Sequence, residues 1–206
     1  MFIGLDLDNT IICYDGVFHR VARRRGWIEG GVEATKNSVK LAVLAAHGND
    51  VWTELQAEVY GPALSEASEY EGAKAFAETA LEAGLSVAIL SHKTRYPALG
   101  RKFDLHSAAL QWLESRGWID LIGRDNVEFH ETRSDKVAAI VRRGCRVFVD
   151  DLPEVFSEPG FPNATRKILF DPDGIYGGHY ELPRSESWDA IRQAVFGNKA
   201  AEKGVS

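Results

Sequence analysis

Short apolar runs alternate along the chain with stretches whose apolar residues recur at helical spacing. Phe2-Ile3-Gly4-Leu5 is unbroken and apolar, which predicts a strand buried on both faces. Residues 11–16 read as a short extension and turn. From Phe18 to Tyr60 the spacing becomes helical. Val21, Ala22, Trp27 and Ile28 form one apolar face, and Val39 to His47 a compact helix that Gly48 can end. Asn49 or Asp50 can cap a third helix carrying Trp52, Leu55, Val59 and Tyr60, and Gly61-Pro62 stops it. From Gly72 to Gly84 the pattern is a helix with a glycine stop, followed by the buried run Leu85 to Leu90. A helix is expected around Leu105 to Arg116, then short apolar runs at Ile119–Ile122 and Val127–Phe129. A helix capped by Ser134 holds Lys136, Val137, Ile140 and Val141 and ends at Gly144. Arg146–Val149 and Ile168–Phe170 read as strands, Asp171–Gly174 as a turn, and Trp188–Phe196 as a last helix.

Strands alternating with helices predict an open parallel α/β sheet, in which function collects beyond the carboxyl ends of the strands. Those ends are polar. The first strand runs into Asp6 and Asp8, two residues apart and followed by Thr10. In a continuing strand the two carboxylates point to one side, so they ask for a metal, a shared proton, or a turn that separates them. A plain polar turn is the structural alternative. The second strand ends at Ser91, the third near Thr132 and Lys136, and the fourth at Asp150-Asp151. If these ends are neighbours, four carboxylates, several hydroxyls and one ammonium share a crevice. Clustered carboxylates call for a hard cation such as magnesium, and lysine with hydroxyls suits a phosphate. The combination reads as metal-assisted phosphoryl chemistry.

Composition narrows the setting. The 206 residues, 45% hydrophobic and 26% charged, suit one domain with a sizeable core or a core plus a small insert. A formal charge of −6 argues against a nucleic-acid partner. The two cysteines, Cys13 and Cys145, fit a reducing compartment, give no zinc spacing and read as inert packing residues. The N-terminus lacks the basic flank and apolar core of a signal peptide, and no run is long enough to cross a bilayer. The expectation is a soluble cytoplasmic protein without a membrane partner, its oligomeric state left open.

The motifs resemble those of haloacid dehalogenase (HAD) superfamily phosphatases. Asp6-Leu7-Asp8-Asn9-Thr10 matches the D-x-D-x-T signature, Ser91 stands at the strand-end Ser/Thr position, Lys136 precedes Asp150 by 14 residues, and Val147-Phe148-Val149-Asp150-Asp151 is similar to the acidic fourth motif. The four motifs in order span about three quarters of the chain. The wording of Ser91–Pro97 and Asp150–Phe156 also resembles a bacterial branch often placed with cell-surface polysaccharide genes.

That resemblance implies a Rossmann-like parallel sheet with helices on both faces plus a small α-helical cap: residues 1–14 and 69–206 as the core, residues 15–68 as the cap. It implies a magnesium-dependent phosphatase acting on a small phosphoester, for instance a sugar phosphate. Asp6 would be the nucleophile that forms an aspartyl-phosphate, and Asp8 the acid and then the base. Thr10, Ser91, the amide of His92 and Lys136 would hold the phosphoryl group. Asp6, Asp8 (through its carbonyl), Asp150 and Asp151 would hold the metal, with Asp151 the first choice for direct ligation and Asp150 a ligand directly or through water. Phosphotransfer or a phosphomutase reaction, and a non-catalytic phosphate-binding module, are the alternatives. Asp8 favours ester hydrolysis, since dehalogenase members lack the second aspartate. Glu154 stands where many members have an aspartate, and Lys93 is a second lysine near the motif. Phe18, His19, Arg20 and Arg23 to Arg25 are candidate cap contacts.

Overall fold

The computed structural model describes residues 1–177 and 182–197. In chain order its elements are β1 (Phe2–Leu5), β2 (Ile12–Cys13), α1 (Val17–Arg24), α2 (Lys36–His47), α3 (Asn49–Tyr60), β3 (Ser68–Glu69) and α4 (Ala73–Glu82). There follow β4 (Ser86–His92), α5 (Leu105–Ser115), α6 (Trp118–Ile122), β5 (Val127–His130), α7 (Arg133–Arg143) and β6 (Cys145–Asp150). The chain continues through α8 (Pro153–Phe156), β7 (Arg166–Phe170), β8 (Arg184–Ser185) and α9 (Trp188–Phe196).

Packing divides the chain into two compact units. The first comprises Met1–Ile11, Glu69–His92 and the chain from Leu121 onward; the second comprises Ile12–Ser68 and Lys93–Asp120. The first unit is built on a six-stranded sheet in the order β5-β4-β1-β6-β7-β8. Its strand pairs are parallel. Counted along the sheet's own strands this is 3-2-1-4-5-6, the doubly wound α/β order, whose switch point falls between β1 and β6. On one face Leu90, Phe148 and Leu169 pack with Val137 and Ile140 of α7 and Val155 and Phe156 of α8. On the other, Phe170 lies 5.6 Å from Trp188 of α9, which lies 5.1 Å from Phe76 of α4.

Gly4 is required where it stands. It lies in register with Phe148 of β6. A Cβ at Gly4 would come within 2.5 Å of the Phe148 ring and 3.0 Å of Cys145 Sγ. The missing side chain lets a fully buried ring cover the strand. Both cysteines are free and buried. Burial pushes the Cys145 thiol up to about 11, so it stays protonated and unreactive.

The second unit packs α1, α2 and α3 around Tyr14, Phe18, Trp52 and Tyr60. Phe18 stacks on Trp52 at 5.3 Å, and Tyr60 meets Tyr14 edge-on at 5.1 Å. α5 is tied to the turn before β3, because Trp112 Nε1 and Arg116 Nη2 both donate to the Ala67 carbonyl, at 3.1 and 2.9 Å. The basic run at residues 23–25 belongs to the surface: Arg24 pairs with Glu66 at 2.8 Å, and Arg25 with Glu58. No helix among the described residues is long and apolar enough to cross a membrane.

Two local expectations are corrected. Thr132, not Ser134, caps α7, accepting from the Asp135 amide at 3.1 Å. The hydroxyl counted as a strand-end group is therefore engaged in starting a helix. Gly48, with φ 83°, both ends α2 and precedes α3, leaving neither Asn49 nor Asp50 as a cap. Val141 is 52% exposed, because the apolar stripe of α7 turns away from it.

Gly4→Ala is expected to destabilise the fold by roughly 1–3 kcal/mol through overpacking against Phe148. Urea unfolding of the two proteins checks this, and coincident midpoints would refute the close-approach argument.

Candidate active site

β1 ends at Leu5 because the chain turns there. The Asp6 amide still donates to the Val149 carbonyl at 2.9 Å, extending the contact with β6 by one residue. Leu7 is then fully buried, and Ile11 N closes onto its carbonyl at 3.0 Å. Asn9 adopts φ 57° within this turn, a left-handed conformation that asparagine tolerates better than most residues. The turn separates the environments of the two aspartates: Asp6 is buried and Asp8 half-buried. Far along the chain, Trp188 Nε1 donates to the Thr10 carbonyl at 3.0 Å and holds the loop from behind.

Lys136, 1% exposed on the inner face of α7, reaches into this loop. Its Nζ donates to Asp6 Oδ1 and, at 2.6 Å, to Asp150 Oδ2. Asp150 is fully buried at the end of β6, and its other oxygen accepts from the Leu152 amide at 3.0 Å. That Asx-type turn aims both Asp150 oxygens. Thr10 Oγ1 lies 3.5 Å from Asp151 Oδ1. The carboxylates of Asp6, Asp150 and Asp151 each offer an oxygen within 4.8 Å of the others. Lys136 Nζ also lies 5.4 Å from the centre of the Phe148 ring, the ring that Gly4 accommodates.

The charges are strongly coupled. Burial is the largest influence on Asp6 and pushes its carboxyl from 3.8 up to about 7; the Lys136 ammonium opposes this, while Asp150 and Asp8 add to it. Burial disfavours the charge on Lys136, but Asp150 and Asp6 outweigh it and hold the ammonium above its ordinary range. A second cation beside Asp6 would act in the same direction as Lys136 and favour the ionised carboxylate. Three carboxylates offering hard oxygen donors could hold a hard divalent cation.

Ser91 lies two residues past Ile89, the register partner of Leu5 on β1. It is 1% exposed, and its Oγ has no hydrogen-bond partner among the described residues. A buried hydroxyl without a partner at the end of a central strand is a donor awaiting an acceptor. His92 follows at the exposed end of β4, where its Nε2 lies 3.2 Å from the Glu131 carbonyl. Its imidazole thus meets the adjacent loop. Glu154 is exposed on α8 and stands apart from the acidic cluster. Lys93, 5% exposed, belongs to the second unit, where its Nζ lies 5.2 Å from the centre of the Tyr60 ring.

Three contributors had no clear mark in the sequence: the Leu152 amide, the Phe148 ring and the Trp188 indole. Only the first had a signal, since Asp150 two residues before Leu152-Pro153 is a pattern for an Asx turn. The other two depend on contacts across the sheet.

No known protein-family model matches the chain, and no curated protein matches it in sequence. Its fold is nevertheless that of several solved structures. A HAD family hydrolase from Deinococcus radiodurans with bound phosphate and sodium aligns with TM-score 0.55 and 16% identity, covering 93% of each chain. The HAD-hydrolase YfnB of Bacillus subtilis, bound to magnesium, aligns with TM-score 0.58 and 9% identity, over 95% of this chain and 98% of that one. A HAD phosphatase from Thermococcus onnurineus aligns with TM-score 0.52 and 15% identity, over 96% and 99%. The sheet with its surrounding helices is thus the Rossmann-like α/β fold that these proteins share.

The raised carboxyl of Asp6 has a consequence for stability. The native state binds a proton at Asp6 between pH 3.8 and about 7 that the unfolded chain has lost. Asp6 therefore favours folding most below pH 3.8, and that contribution is lost as pH rises through about 7. In chelator, the stability of wild type relative to Asp6→Asn is expected to fall between pH 5 and pH 8. Urea midpoints across this range check it, and a pH-independent difference would contradict the burial argument.

Proposed function

We propose that this chain is a HAD-superfamily hydrolase: a magnesium-dependent phosphatase that cleaves a small phosphoester through an aspartyl-phosphate on Asp6. The observation that carries the reading is the Lys136 ammonium bonded to both Asp6 and Asp150 inside a cluster of three carboxylates. Further support comes from the fold, shared with proteins holding magnesium in one case and phosphate in another.

In this mechanism one Asp6 oxygen attacks phosphorus as the bond from phosphorus to the ester oxygen breaks. Asp8 gives its proton to the departing oxygen, then takes a proton from water as that water attacks the phosphoryl group. Inorganic phosphate leaves and the Asp6 carboxylate is restored. Lys136 orients Asp6 and offsets negative charge as phosphorus approaches it. The Ser91 hydroxyl and the His92 amide hold phosphoryl oxygens, and Thr10 positions Asp151. Asp6, Asp150, Asp151 and the Asp8 carbonyl would hold the magnesium ion, which neutralises charge on the phosphate. Residues 15–68 serve as a helical cap that selects the substrate and excludes water.

Phosphate release from a panel of sugar phosphates, nucleotides and small phosphoesters tests the reading. Release is expected with magnesium, absent in chelator, and at least about 10³-fold slower for Asp6→Asn, which removes the nucleophile. Ser91→Ala is expected to lower kcat by about 10–100-fold, somewhat less than loss of a dedicated oxyanion donor. Full activity in Asp6→Asn would overturn the assignment. Phosphate appearing on a sugar hydroxyl in place of free phosphate would identify a transferase.

A further inference from the structure

The last helix reaches the loop that follows β1. α9 begins at Trp188, set there by Ser187, whose side chain accepts from the Ala190 amide at 3.2 Å. Near its other end, Arg166 Nη1 of β7 donates to the Ala194 carbonyl at 2.8 Å. Trp188 is fully buried against Phe76 and Phe170, at 5.1 and 5.6 Å. Gly72 leaves room for it, since a Cβ there would come within 3.0 Å of the Trp188 Cβ.

Burial of an aromatic ring does not by itself call for an indole; what tryptophan adds is one N–H donor. That N–H goes to the Thr10 carbonyl at 3.0 Å. Thr10 is fully buried, and its hydroxyl lies 3.5 Å from Asp151 Oδ1. The residue whose carbonyl takes the indole bond is therefore the one whose hydroxyl faces a carboxylate of the acidic cluster. The turn is held from outside more firmly than from within. Inside it, the Thr10 amide reaches the Leu7 carbonyl only at 3.4 Å, a long bond. Outside it, the Tyr70 amide donates to the Ile11 carbonyl at 2.9 Å, beside the bond from Trp188. Loss of the indole donor takes that bond from a buried carbonyl, which is costly. A peptide that rotates toward another donor carries the Thr10 side chain with it, away from Asp151.

We infer that Trp188 is a positioning residue of the metal centre: its N–H fixes the Thr10 backbone, and the Thr10 hydroxyl fixes Asp151 for a divalent cation. The inference rests on the phosphatase reading above, which calls for that cation. Trp188 acts through Thr10 and is not itself a ligand. Carboxylate ligands are oriented by hydrogen bonds from outside the coordination sphere, and losing such a bond weakens metal binding. Here the orienting chain starts in the helix farthest along the sequence and ends on the acidic pair after β6.

A double-substitution cycle tests this, read as magnesium affinity by titration calorimetry on the full chain without substrate. Trp188→Phe keeps a ring and removes the N–H; Thr10→Val keeps the shape and removes the hydroxyl. Each is expected to weaken magnesium binding about tenfold, the lower end for outer contacts of metal ligands. The double variant is expected to lose about tenfold as well, because both changes act on one carboxylate contact. Phe76→Leu loosens the packing around Trp188 and spares its N–H. It is expected to lower the urea midpoint and leave magnesium affinity unchanged. In the unsubstituted protein, the Trp188 indole N–H resonance is expected to shift when magnesium is added. Unchanged affinity in Trp188→Phe, an equal loss in Phe76→Leu, or multiplied losses of about a hundredfold in the double variant would overturn the positioning role. So would an indole resonance that magnesium leaves in place, or a wild type that binds no magnesium. Phosphate release from the phosphoester panel is scored separately. Coupled magnesium losses in a protein that turns over no phosphoester would uphold the role and reject the phosphatase reading. Turnover in a protein whose losses multiply would reject the role alone.

Discussion

A lysine held between two buried aspartates is the constraint on which the first unit depends. Removing an ammonium and two carboxylates from water costs several kcal/mol per ion, and only close pairing offsets it. Three separate pieces of chain must therefore converge: the end of β1, the first turn of α7 and the end of β6. The doubly wound order makes β1 and β6 neighbours at the switch point. The Asp6 amide bonded to Val149, and the Leu152 amide bonded to Asp150, then fix both carboxylates against Lys136. Packing serves the same end. Gly4 leaves room for Phe148, and Phe148 lies beneath the ammonium. A side chain at Gly4 would move the ring and, through it, the lysine.

This arrangement also explains why one aspartate of the first loop is buried and the other is not. Asp6 is buried against the Lys136 ammonium, whereas Asp8 is half-exposed. A nucleophile needs a fixed position and protection from water; an acid and base needs to exchange protons with its surroundings. The turn at Asn9 separates the two environments within three residues of chain. The unpartnered Ser91 hydroxyl is the other asymmetry of the site. This hydroxyl is left open at the end of a central strand, where an incoming oxygen can take the bond.

Much of this was legible in the sequence, because strands buried on both faces leave unbroken apolar runs and their polar ends stand out against them. Phe2–Leu5, Val87–Leu90 and Val147–Val149 announce the three central strands, and Asp6, Ser91 and Asp150 follow directly. What could not be read rests on tertiary partners. The Trp188 indole meets the Thr10 carbonyl across 178 positions. Strand β8 is two residues long and has no apolar signature. The expected turn at Asp171 hides a buried carboxylate that accepts from Ile175 N, Tyr176 N and Arg184. The packing of Lys93–Asp120 with Ile12–Ser68 depends on Trp112 and Arg116 finding one carbonyl, and no spacing encodes that contact. Ser134 was the expected cap of α7; backbone geometry gave the role to Thr132, the residue with extended φ and ψ.

The central claim is that Asp6 forms the covalent bond to phosphorus. It is tested most directly by quenching the protein during incubation with a phosphoester and magnesium, reducing any acyl phosphate with borohydride, and locating the product by mass spectrometry. The account predicts homoserine in place of aspartate at position 6 and at no other acidic residue. Reduction at Asp8, Asp150 or Asp151, or a phosphoryl group found on Ser91 or a histidine, would contradict it.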